Sequence, residues 1–138
     1  MIEIISRSKN RRSGRWVEGY YVYRGAEYGA KGVKRHYILT HDGSGFVWND
    51  VFAETIGRFT NLLDVAGKRI FEGDIVRAVE SDDKDLVGKI EYNCLGWVVN
   101  GTNWADSLYM ANQHHRLSVI GNIHDNPELL MEAQNECN

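Results

Sequence analysis

Histidine offers this chain its most versatile chemistry, and there are five of them. His114 and His115 are adjacent, with His124 and Asp125 following nine residues later, the nearest approach to a metal-ligand set. A metal needs donors that converge on one point. Neighbouring histidines on a strand or loop end point different ways, and spacing fixes no further ligand, so no metal site and no cofactor is expected. His41 and Asp42 could pair as a base and its orienting group beside Ser44. The surrounding Gly43-Ser44-Gly45 reads instead as a hairpin turn, without the strand-to-helix elbow that presents a serine nucleophile. Glu72 and Asp74 stand two apart, as an acid and a base do, but they flank Gly73 in a turn, where carboxylates bond backbone amides. Neither a GxGxxG segment before a helix nor a Walker sequence is present to cradle phosphate. No catalytic residues are assigned; an enzyme would have to assemble its site in space from His36, His41, His114 or His124 with a carboxylate.

Cations interleaved with aromatic rings are the second source of chemistry. Lys9, Arg11, Arg12 and Arg15 lie beside Trp16, Tyr20 and Tyr21, and Lys31, Lys34 and Arg35 lie beside Tyr28 and Tyr37. Such a pattern can hold phosphates while bases stack on the rings. The net charge of −3 conceals an asymmetry: nine Lys or Arg face five Asp or Glu through Asp50, giving +4, and seven face fourteen beyond it, giving −7. A basic front half permits a nucleic-acid contact, and it equally permits the two halves to attract each other within a chain or between subunits. The overall pI of about 5.9 weighs against the first option.

The elements that must carry these residues are mostly strands. Apolar residues at 43% and charged residues at 25% are those of a globular chain. Met1 to Ile5 reads as a short strand and Ser6 to Gly14 as an exposed loop or hairpin tip. Trp16 to Tyr23, Val33 to Thr40 and Phe46 to Phe52 follow as strands, the last two joined through Asp42-Gly43. Ile75 to Val79, Leu86 to Tyr92 and Trp97 to Asn100 form a second series around the acidic stretch Glu80 to Asp85. Short strands joined by tight polar turns suit a small barrel or roll. Two short helices interrupt them. Trp104, Leu108 and Ala111 share a helical face that Thr102 or Asn103 could cap, and Asn126-Pro127-Glu128 opens a last helix. Two cysteines, Cys94 and Cys137, make no disulfide framework, and no apolar stretch is long enough for a membrane span or a leader. A soluble protein of the reducing cytoplasm is expected.

The central stretch carries a resemblance. Glu54-Thr55-Ile56-Gly57, Phe59-Thr60, Asp64 with Gly67-Lys68, Ile70, and Glu72-Gly73-Asp74-Ile75-Val76 closely resemble the central signature of the YopX family of phage and prophage proteins. Val119 to Leu129, with Gly121, Asn122 and Pro127, is similar to that family's closing motif, and Gly14 with Trp16-Val17-Glu18-Gly19-Tyr20 to its first region. Ala53 stands where the family usually has proline, and Arg58 where it usually has glutamine. The resemblance implies a β-rich fold with an SH3-type small barrel at 54–130, and the residues themselves read as an N-terminal antiparallel β subdomain at 1–53 and a frayed tail at 131–138. It implies no catalytic residues, and Glu54, Thr55, Gly57, Gly67, Gly73, Asp74, Gly121, Asn122 and Pro127 stand in it as structural positions. The function expected first is that of an accessory phage protein in the bacterial cytoplasm. It would be a non-enzymatic module that binds a phage or host protein and associates with itself. Nucleic-acid binding by the basic, aromatic front half is the alternative, and an enzyme built on the dispersed histidines stands third.

Overall fold

The computed structural model describes residues 2–25, 35–79, 86–94, 96–101 and 104–131. The protein is mainly β and its strands pair antiparallel throughout. It divides into two compact units, Met1–Phe59 and Thr60–Asn138.

In the first unit, β1 (Ser6–Lys9), β2 (Trp16–Arg24), β3 (Arg35–His41), β4 (Phe46–Asp50) and the opening residues of β5 (Gly57–Leu63) lie in the order β4-β3-β2-β1-β5. The sheet curls strongly. The end of β4 returns to the end of β1 through an Asn10–Val51 bridge, with Arg11 N–H donating to the Asp50 carbonyl at 2.8 Å and Phe52 N–H to that of Lys9 at 3.0 Å. Gly19 makes the curl possible, since a Cβ there would sit 2.1 Å from the Leu39 carbonyl oxygen. The concave side encloses Ile38, Val51 and Ser8, each at most 2% exposed.

The first strand is not Met1 to Ile5. Ile2 and Ile4 are exposed, and the strand runs instead through the polar Ser6–Lys9. Hydroxyl pairing explains how a polar sequence can be buried. Ser8 Oγ lies 2.6 Å from Thr55 Oγ1, and the Thr55 oxygen, within the 3-10 turn Ala53–Thr55, accepts the Lys9 N–H at 2.9 Å and donates to the Phe52 carbonyl at 2.7 Å. The Ser8 and Thr55 hydroxyls thus have their partners inside the unit, which offsets the cost of taking them out of water.

In the second unit, β6 (Arg69–Phe71), β7 (Asp74–Ala78), β8 (Val87–Asn93), β9 (Gly96–Gly101), β10 (Ala105–Ser107) and β11 (Leu117–Asn122) follow, with α1 (Leu108–His115) between the last two. β6 pairs with β5, and the main sheet has the order β10-β9-β8-β7-β11. Among the described residues this sheet is open, with no pairing between β10 and β11. Ile70, Val76, Ile90, Val99, Leu108 and Leu117 form the centre of its core.

The helix expected from Trp104 onward begins later. Residues 105–107 are strand, and Ser107 caps α1 by accepting the Met110 N–H at 3.2 Å. Trp104 is held outside the helix by its own bonds, the indole Nε1 donating to the Val87 carbonyl at 3.3 Å and its carbonyl accepting Gly101 N–H at 2.8 Å. Leu108 and Ala111 do share the buried face. Thr102 and Asn103, the caps read from the sequence, lie outside the described residues. At the closing helical turn at 128–131 the Asn126 carbonyl accepts Leu129 N–H at 3.1 Å, while its Oδ1 reaches back to accept Asn122 N–H at 3.3 Å, over a Gly121 whose Cβ would meet that oxygen at 2.6 Å.

Candidate functional site

Residues directly opposite in an antiparallel ladder share a face, and residues two apart along a strand stay on it. The register Arg7↔Glu18, Lys9↔Trp16, Tyr20↔Leu39, Val22↔Tyr37 and Arg24↔Arg35 therefore defines one side of the first sheet, which Tyr37↔Asp50, Leu39↔Trp48 and His41↔Phe46 extend onto β4. This is the side away from Ile38, Ser8 and Val51. Five aromatic rings stand on it, those of Trp16, Tyr20, Tyr37, Phe46 and Trp48, together with Arg7, Lys9, Arg24 and Arg35. Tyr20, Phe46 and Trp48 are exposed at 56%, 57% and 44%.

The cations do not stand apart from the rings. The Arg24 guanidinium lies 4.2 Å from the Trp48 ring centroid and 6.0 Å from that of Tyr37, which itself meets Trp48 edge-on at 5.3 Å. Trp16 carries Arg7 at 4.8 Å and Lys9 at 5.5 Å. Arginine is weakly hydrated and planar, so it stacks on indole at little cost while its edge stays available to hydrogen-bond acceptors.

Beside this face the chain makes a tight basic turn. Asn10 Oδ1 accepts the Arg12 and Ser13 N–H groups at 2.8 and 3.1 Å, and Gly14 takes a positive φ of 72° to bring the chain back into β2. Arg11, Arg12 and Arg15 are exposed on it. The turn and β4 enclose a cleft of about 500 Å³ lined by Asn10, Arg11, Arg12, Trp48, Asn49 and Asp50. Among the described lining residues Asp50 is the only acid, and it is engaged, with Arg35 Nη1 at 2.9 Å and Arg11 Nε at 4.0 Å.

Of the cations singled out in the sequence, Lys9 and Arg35 thus fall on the aromatic face, and Arg11 and Arg12 on the cleft that adjoins it. Arg15 shares their turn. Lys31, Lys34 and Tyr28 lie outside the described residues. Arg24, Phe46 and Trp48 belong to the same surface and were missed. Their signal was present in the alternation, but only the register that sets Leu39 between Tyr20 and Trp48 joins it across three strands. Tyr21 and Tyr23 face the other side. There Tyr21 Oη lies 2.6 Å from His36 Nδ1, and burial together with the neighbouring Tyr23 hydroxyl raises the Tyr21 pKa.

The other titratable candidates have bonding roles. Asp42 Oδ1 accepts Ser44 N–H, Ser44 O–H and Gly45 N–H at 2.9, 2.8 and 3.1 Å, and His41 Nδ1 accepts Gly43 N–H at 3.1 Å. These bonds, the Ser44 amide first, lower the Asp42 pKa. Asp74 is wholly buried and accepts Phe71 N–H at 2.7 Å. His114 and His115 hold their ring centroids 6.5 Å apart at 66°, and His115 meets Trp104 edge-on. Among the described residues no group of three or more His, Cys, Asp or Glu could hold a metal ion, and no described helix is long and apolar enough to cross a membrane.

The family model described as YopX protein matches residues 7–131. The chain belongs to the YopX family. The YopX match takes in most of both units, including the basic turn, the aromatic face and the closing turn around Asn122. Among solved structures, the crystal structure of protein EF1440 from Enterococcus faecalis is similar, with 18% identity and a TM-score of 0.57, covering 94% of this YopX chain and 99% of that one. At that identity the likeness speaks to the fold. No curated protein matches the chain.

Proposed function

We propose that this YopX-family chain is a non-enzymatic binding module whose first unit takes nucleic acid. The observation that carries the reading is the gathering, on one sheet face and its adjoining cleft, of Trp16, Tyr20 and Trp48 with Lys9, Arg24 and Arg11. Sequence order interleaves these residue types, and the register turns that order into a surface. Phosphates are recognised by such cations in a salt-dependent way, and rings at the same surface supply a contact that phosphate charge alone does not. The non-catalytic part of the reading rests on the carboxylates and imidazoles, which serve turns and ring contacts. We place the molecule with phage-type accessory proteins of the bacterial cytoplasm, on the family resemblance. We read its second unit as an SH3-type roll, because a meander β7-β8-β9-β10 with β11 returning beside β7 is how a small roll is wound.

Fluorescence anisotropy of labelled DNA and RNA, titrated with the protein at low and at physiological salt, tests the reading. Micromolar or tighter binding that weakens as salt rises is the expected result, and the triple substitution Arg11→Ser, Arg12→Ser, Arg15→Ser should weaken it at every sequence. Absence of binding at low salt, where phosphate contacts are strongest, would overturn it.

A protein-binding module that associates with itself is the second reading. It is favoured by the outer strand β4, whose Phe46 and Val47 are exposed beside Trp48, since an apolar strand bordering a sheet is a template for pairing with another chain. Sedimentation velocity distinguishes it: Val47→Lys should shift an oligomer toward monomer, and identical sedimentation of the variant would remove β4 from the interface.

A further inference from the structure

Deepening the nucleic-acid reading and resting on it, we infer that the surface takes a single strand, whose bases stack around Trp48 while its phosphates meet Arg11 and Arg12. Leu39 lies directly between Tyr20 and Trp48 in the sheet, so those two rings stand two strands apart, roughly 10 Å between backbones. Phe46 follows two residues along β4 on the same side, roughly 7 Å away. Three exposed rings within that span are reachable by one short oligonucleotide. Arg24 lies against the indole at 4.2 Å, which fixes the ring's attitude and offers a guanidinium plane on which a further base can stack. Trp48 also forms a wall of the cleft that Arg11 and Arg12 line, so a base on the ring and the phosphate attached to it can be met together. The charge of the cleft is compatible with phosphate, because Asp50, the one carboxylate among its described lining residues, is paired with Arg35 at 2.9 Å, and Arg11 and Arg12 add two further cations.

The preference for a single strand follows from the rings. A paired base inside a duplex has both π-faces covered by its neighbours, whereas an unstacked base exposes them to an aromatic platform. Stacking on a ring uses the π-face that every base has, so sequence dependence should be slight.

The experiment measures labelled oligo(dT) and oligo(U) of about 12 nucleotides, and a mixed-sequence duplex of the same length, by anisotropy over a series of salt concentrations. Three proteins are compared: the unaltered chain, Trp48→Ala, and Arg11→Ser with Arg12→Ser. Circular dichroism and thermal unfolding check folding, with Tyr20→Ala and Trp48→Tyr as second variants should Trp48→Ala not fold. Single strands are expected to bind tighter than the duplex. Trp48→Ala should weaken single-strand binding roughly 5- to 150-fold without changing its salt slope, and Trp48→Tyr should restore part of the loss. The double arginine variant should flatten the slope of log K against log salt by about 1.4. Equal affinity for strand and duplex with no effect of Trp48→Ala would overturn the single-strand inference while leaving nucleic-acid binding standing. No binding of any probe at low salt would overturn both.

Discussion

Asp64 shows how much of this fold rests on single side chains. Its Oδ1 accepts the Ala66 and Lys68 N–H groups at 2.9 and 2.8 Å, closing the turn between β5 and β6, while Oδ2 accepts the Val119 N–H of β11 at 2.9 Å. One carboxylate therefore holds a turn and a strand that is 55 residues away in sequence. Asp64→Ala leaves three partly buried donors without acceptors and should destabilise the protein by roughly 3 kcal/mol or more, read by urea unfolding. A loss below about 0.5 kcal/mol, the size of an ordinary surface change, would contradict that role. Gly19 makes the complementary case in the first unit. The 2.1 Å approach of a Cβ to the Leu39 carbonyl oxygen involves backbone, which cannot swing away, so Gly19→Ala should cost at least about 1–3 kcal/mol. Gly45→Ala is the control, since nothing lies within 4 Å of its Cβ position. Equal stabilities of the two variants, measured by denaturant unfolding, would mean that the sheet accommodates a side chain at Gly19. Asp64 lies in a turn-like sequence and Gly19 in the middle of a strand, and in neither case does the residue type alone tell which backbone groups it serves.

At the scale of elements, the strands were legible wherever aromatic and β-branched residues run together, as in Trp16–Arg24 and Arg35–His41. The Asp42-Gly43 turn was legible for the same reason, its chemistry being local. β1 was not, because its burial depends on Thr55, 47 residues from Ser8, and nothing in Ser6–Lys9 announces a partner so distant. The start of α1 was misplaced by the same kind of tertiary contact, the Trp104 indole reaching the Val87 carbonyl. Element chemistry also sets a pH response. The Asp42 carboxyl is more acidic in the folded hairpin than its ordinary 3.8, because only the ionised form accepts all the Ser44 and Gly45 bonds. Its contribution is thus fully present above that ordinary value and is lost as pH falls through the lower folded value. The Ser44 and Gly45 amide resonances should therefore move at a pH below the ordinary carboxylate range, while the β2–β3 amides hold. Movement centred on 3.8 would show that these bonds do not favour the charged form.

For the molecule as a whole, the uneven charge now has a local address. Among the described residues the front half's cations stand on β1 (Arg7, Lys9), in the turn that follows it (Arg11, Arg12, Arg15) and at the ends of β2 and β3 (Arg24, Arg35), and the register gathers the aromatic residues of three strands beside them. The sequence showed the residue types but not the face, because a face is a product of pairing: Arg24, Phe46 and Trp48 come together only once Leu39 is set between Tyr20 and Trp48. The most direct measurement is a two-dimensional ¹H–¹⁵N NMR titration of the protein with an unlabelled single-stranded oligonucleotide. The four tryptophans at positions 16, 48, 97 and 104 supply indole reporters in both units. The indole signal of Trp48 should shift most, with the backbone amides of Arg11, Arg12 and β4 moving alongside it and those of Trp97 and Trp104 staying in place. Shifts confined to the second unit, or none at a saturating oligonucleotide concentration, would contradict the assignment of function to this face.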